Sequence, residues 1–132
     1  MLTVEELYQE ANTLCLKHWG VPYTGKIELV NRNWRYQTAC IEFRKSCPTY
    51  AKIRMSQAVN ERRTKEEILS TLLHELVHWR LRMIGKPYKD EDKEFVEEAL
   101  RVGASISWSK SAREALKKYG TRQMTIDDYL SE

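Results

Sequence analysis

Cysteine is scarce in this chain, and the three present, Cys15, Cys40 and Cys47, stand far apart and in an odd number. With no Cys-x-x-Cys pair there is no basis for a zinc ribbon or a disulfide framework, and the thiols read as buried or free. No apolar run approaches the roughly 18 residues of a membrane span, and the opening MLTVEELYQE lacks the basic start and apolar stretch of an export signal. The expectation is a cytoplasmic protein with no membrane contact. Repeats, low-complexity tracts and linkers are also missing, so the 132 residues read as a single domain, 1–132, with a core over about 3–103 and a short helical tail over 104–132. Histidine is as rare as cysteine, and two of the three histidines stand four residues apart.

What is present in quantity is charge, at 31% beside 42% hydrophobic residues, an ordinary balance for a globular protein. The net +3 hides an asymmetry: residues 1–65 carry 11 Lys+Arg against 6 Asp+Glu, and residues 66–132 carry 11 against 13. The basic half holds Arg32, Arg35, Arg44, Lys45, Lys52, Arg54, Arg62, Arg63 and Lys65, with Trp34 and Tyr36 among them. Such a half is compatible with DNA as a partner through phosphate contacts and base stacking, although aromatics in this position equally pack within a sheet.

Apolar residues at Val4, Leu7, Tyr8, Ala11, Leu14 and Cys15 predict a helix over 3–19, stopped by Gly20-Val21-Pro22, with His18 suited to its C-terminal dipole. From Lys26 to Met55 the period changes, and KIELV, YQTACIEF and AKIRMS read as three strands of an antiparallel sheet. A helix over about 93–102 follows, with Phe95, Val96, Ala99, Leu100 and Val102 inward; SAREALKKYG and TIDDYL read as short terminal helices. The class is α+β: an N-terminal helix, a three-stranded sheet and helices packed against it.

The segment STLLHELVHWRL, residues 70–81, carries the chemistry. Thr64 and Glu67 form a Thr-x-x-Glu capping box, and Gly85 and Pro87 stop the helix at its other end. At 100° per residue, Leu69, Leu72, Leu73, Leu76, Val77, Trp79, Met83 and Ile84 share one arc. Glu67, Ser70, Thr71, His74, Glu75, His78 and Arg82 share the other, and their small residues suit a cleft wall better than a solvated face. Residues at i and i+4 lie one above the other, so His74 and His78 can reach one ion. This His-Glu-x-x-His spacing offers two neutral imidazoles to Zn²⁺ and a carboxylate, Glu75, as general base toward water. The predicted reaction is hydrolysis of a peptide bond in a protein or peptide substrate.

Catalytic zinc takes a third protein ligand, and no histidine follows His78. If the next helix returns antiparallel to the first, Glu98 comes level with His78, while Glu91 and Asp92 are the alternatives; Asp90 and Asp92 also read as N-caps. An acceptor should hold the free ring N–H of each histidine and a donor should help the oxyanion, but no spacing in the sequence singles either out, Tyr88 and Arg82 being merely the nearest donors along the chain.

The stretch TKEEILSTLLHELVHWRLRMIGKPYKDEDKEF, preceded by AKIRMS and the basic-aromatic NRNWR, resembles the SprT-like family, which includes the Spartan-type DNA–protein crosslink proteases. The resemblance implies a zincin-like metallopeptidase with His74 and His78 as zinc ligands, Glu75 as base, and substrates that include proteins bound to DNA. Two departures stand out. Many members carry a third histidine where this chain has Glu91, and some carry a C-terminal zinc ribbon, for which no cysteine remains after Cys47. Two other readings share the motif: a regulator-cleaving peptidase resembling the ImmA/IrrE group, and a nucleic-acid-binding adaptor with a structural or vestigial metal site.

Overall fold

A computed structural model describes residues 2–31, 38–106 and 110–120. The segment with Arg32, Trp34, Arg35 and Tyr36, and the TIDDYL segment, lie outside the described residues.

Helix α1, Val4–Trp19, begins at a capping box in which the Glu6 N–H donates to Thr3 Oγ1 (3.1 Å) and the Thr3 N–H to Glu6 Oε1 (3.2 Å). Leu7, Ala11 and Cys15 form its buried stripe. Strands β1 (Lys26–Val30), β2 (Ala39–Arg44) and β3 (Cys47–Ser56) then build a sheet of order β1-β3-β2. The pair β2/β3 is antiparallel, but β1/β3 is parallel, so the sheet is mixed where an antiparallel one was expected. Alternation along a strand says which side chains face the core; it carries no information about strand order or direction. The central place goes to the longest strand, whose Ala51, Ile53 and Met55 are buried. The expected RKSCPTY connection is a two-residue turn, Lys45-Ser46, and β3 starts at Cys47. Pro48, which has no N–H to donate, lies beside a register shift at Phe43/Arg44.

A short helix α2, Gln57–Asn60, follows, capped by Ser56 Oγ accepting the Val59 N–H at 3.2 Å. Helix α3, Lys65–Met83, begins at the Thr64/Glu67 capping box, with both reciprocal bonds formed at 3.2 and 3.0 Å. It closes with the Lys86 N–H donating to Leu81 O (2.9 Å) and the Gly85 N–H to Arg82 O (3.1 Å). That pattern needs a left-handed residue, supplied by Gly85 at φ 74°. From Thr71 to Trp79 every residue of α3 is buried, the polar arc included. Helix α1 and strands β2 and β3 pack on it, and α4, Lys93–Val102, packs on it as well. Of the expected inward residues of α4, Phe95, Val96, Ala99 and Val102 are buried and Leu100 is half-buried. Helix α5, Lys110–Ala115, runs into a π-helical turn, Leu116–Gly120, that packs on α4. All three cysteines are free thiols, Cys15 buried, Cys40 half-buried and Cys47 exposed. Among the described residues no helix is long and apolar enough to cross a membrane.

Candidate metal centre

The one-turn spacing on α3 places His74 Nε2 and His78 Nε2 3.2 Å apart. Asp90, in the loop between α3 and α4, brings its Oδ1 to 3.1 Å from the first and 3.0 Å from the second. Each ring is anchored on its far side by a backbone carbonyl: His74 Nδ1–H donates to Ser105 O at 2.6 Å, and His78 Nδ1–H donates to Tyr88 O. Local structure delivers both carbonyls. Gly103, at φ 80°, ends α4 and turns the chain so that Ser105 returns to α3, where its N–H and Oγ–H each donate to Ser70 O at 3.4 Å. Tyr88 is held by Arg82, whose Nη1–H donates to the phenol oxygen at 3.3 Å, and by an edge contact with Phe43.

Those anchors decide the chemistry of the opposite edges. An imidazole that donates from Nδ1 carries a lone pair on Nε2 when neutral. Two lone pairs and a carboxylate oxygen then converge with no donor among them, and Asp90 Oδ1 is indeed buried without a hydrogen-bond partner. A proton can bridge one pair of these atoms, whereas a divalent cation can satisfy all three, so His74, His78 and Asp90 fit a metal ion. Their protonation follows the same geometry. Burial pulls His74 down, but the Asp90 carboxylate and the charge of Glu75 outweigh it and leave His74 above its ordinary value. Burial pushes Asp90 up, yet the two imidazoles overcome this and hold it well below the usual carboxylate range. Glu75, 5% exposed beside them, is raised because burial dominates the opposing pull of the histidines, and its Oε2 has no partner.

Residues 4–116 match the SprT-like family. The chain belongs to that family. SprT-like proteins are associated with metallopeptidase-like function, and the histidine–aspartate cluster lies within the matched region.

Of the acids expected as third ligand in this SprT-like chain, none meets the imidazoles. Glu98 faces α1, where its Oε2 accepts from Trp19 Nε1–H at 2.6 Å, and Arg101 grips both oxygens at 2.6 and 2.7 Å. The position beside His78 that the antiparallel return assigned to Glu98 is taken by Phe95, three residues earlier, which lies against both histidines. Glu91 is exposed. Asp92 is the N-cap residue of α4, and its Oδ2 accepts the Lys89 N–H at 2.9 Å. Asp90, expected only as a cap, is the acid that converges, one residue before the position at which many SprT-like members carry histidine. The carbonyls of Tyr88 and Ser105 gave no sequence signal, since any residue type supplies one.

Proposed function

We propose that this chain is a zinc-dependent peptidase of SprT-like type, with His74, His78 and Asp90 as the ligands and Glu75 as the general base. The observation that carries the proposal is the convergence of three acceptor atoms within 3.2 Å beside a buried carboxylate that has an unpaired oxygen. A two-nitrogen, one-oxygen donor set suits Zn²⁺, which when bound supplies Lewis acidity toward water and a carbonyl oxygen. The residues do the rest. Glu75, made more basic by burial, takes the proton of the attacking water as the new C–O bond forms. It then passes that proton to the amine nitrogen as the C–N bond breaks. The carbonyls of Tyr88 and Ser105 keep both imidazoles in one tautomer with Nε2 turned inward.

Protein substrates held on DNA form the narrower part of the proposal, in line with the family. Support comes from the sheet, where the Arg44 guanidinium lies 3.9 Å over the Tyr50 ring and Lys26 lies 5.9 Å from the same ring. Lys52 and Arg54 are already compensated by Glu28 and Glu42, each at 3.2 Å, so the contact would be modest and salt-sensitive.

The test is digestion of a protein substrate by purified protein, with and without chelator and DNA. Glu75→Gln is expected to keep its zinc by elemental analysis and to lose about 10²–10⁴ in rate. Undiminished hydrolysis by that variant would overturn the assignment of the base. Acceleration by DNA that fades with added salt supports the DNA-associated substrates, and indifference to DNA removes them while leaving the peptidase.

A further inference from the structure

On the side away from Asp90 each imidazole is tethered by a single backbone carbonyl, His74 through Ser105 O and His78 through Tyr88 O. A ring held at a single atom still swings about that bond, and its far nitrogen, the one aimed at Asp90, travels furthest. A third contact common to both rings limits this motion. Phe95 stacks on His78 with centroids 4.1 Å and planes 20° apart, and meets His74 edge to face at 4.9 Å and 70°. The imidazoles meet each other at 4.9 Å and 74°, so the three rings close on themselves.

Phe95 is 1% exposed and sits in the first turn of α4, on a different helix from the histidines and 17 residues beyond His78 in sequence, yet it is pressed on both rings in space. Its neighbour Val96 is just as buried, at 0%, but points about 100° round the helix. Burial alone therefore does not distinguish Phe95; contact with the imidazole faces does. A phenyl ring has no hydrogen-bonding atom, so it can neither ligate nor exchange protons. It can fix ring planes and exclude water from their faces.

We infer that Phe95 is a positioning residue of the metal centre, locking both imidazoles so that their Nε2 atoms stay 3.2 Å apart and directed at Asp90. The inference rests on the zinc reading above and adds a residue to it that acts through the ligands.

Wild type, Phe95→Leu, Phe95→Met and Val96→Ala are compared in two measurements. In zinc-free protein the His78 ring protons lie upfield in the NMR spectrum because a phenyl face covers them, and they move back in Phe95→Leu. Zinc affinity, read by competition with a chromophoric chelator, falls about tenfold in both Phe95 variants and stays within about twofold of wild type in Val96→Ala, tenfold being the low end for contacts that orient a ligand. Equal weakening in Val96→Ala reduces Phe95 to general packing and overturns the inference, as does unchanged affinity in Phe95→Leu or an unshifted His78 ring. If Phe95→Leu fails to fold, as judged by far-UV circular dichroism, the adaptable methionine variant carries the comparison. Absence of zinc binding in all four proteins refutes the metal reading itself, a pattern distinct from a loss confined to Phe95.

Discussion

Exchanging Asp90 for Asn and Glu98 for Gln separates the two acids by function. Asp90 Oδ1 is about 3 Å from both Nε2 atoms, whereas Glu98 spends its oxygens on Trp19 and Arg101. Contacts that merely orient a ligand are worth 10–100-fold in metal affinity, so loss of a charged ligand costs at least about 100-fold, or about 2.7 kcal/mol. At free zinc 100 times the wild-type Kd, binding stabilises wild type by about 2.7 kcal/mol and a 100-fold weaker variant by only about 0.4 kcal/mol. For a chain of 132 residues, a kcal/mol is worth roughly 3–4 °C of Tm, so the zinc-induced rise should be about 8 °C smaller in Asp90→Asn than in wild type. Comparing each protein with and without zinc by differential scanning calorimetry cancels any change in the metal-free fold. Glu98→Gln should keep the full rise while starting from a lower Tm. A full rise in Asp90→Asn together with none in Glu98→Gln would refute the ligand assignment.

Thr64→Ala removes the side-chain oxygen that caps α3 at 3.2 Å and should cost about 1 kcal/mol, read as a lower urea midpoint with an unchanged slope. Acid sensitivity should follow from Glu98, whose carboxyl is depressed chiefly by its hydrogen bond to Arg101, with Trp19 adding to it. A depressed carboxyl contributes its stability above the ordinary glutamate range and loses it as pH falls through the folded value, so stability should drop less steeply with acid in Glu98→Gln than in wild type. Chemical denaturation at a series of pH values checks the slope; identical slopes would contradict it.

The helix that carries the histidines was legible because three local signals agree on it: a capping box at Thr64, a glycine stop at Gly85 and an apolar period between them. All three are properties of a few neighbouring residues. The partner acid was not legible for the opposite reason. Asp90 belongs to a loop, where no period links a residue's number to its direction, and the argument that favoured Glu98 extended helix geometry across that loop. It placed the contact nearly one turn too far along α4, since the residue that meets His78 is Phe95, three positions before Glu98. Ser105, 31 residues beyond His74, is brought back by the turn at Gly103 and contributes a main-chain atom, invisible to any reading of side-chain chemistry. Sheet order was hidden likewise, since Ile27, Ile41 and Ile53 face the core whichever strand lies in the middle.

The α3–α4 loop touches the centre twice, through the Tyr88 carbonyl on His78 and through the Asp90 carboxylate on both rings, with Lys89 alone between. One extra residue at Lys89 would carry Asp90 away by up to about 3.5 Å, more than its whole separation from either nitrogen. Asp90 and the exposed Glu91 are the two central residues of a turn closed by the Asp92 N–H on Lys89 O and by the Lys89 N–H on Asp92 Oδ2, so the same short turn that leads into α4 also sets where the Asp90 carboxylate stands. The spacing from Tyr88 to Asp90 therefore works as a ruler: the loop has no slack on either side of the aspartate, and a change of length there would part the carboxylate from the two rings.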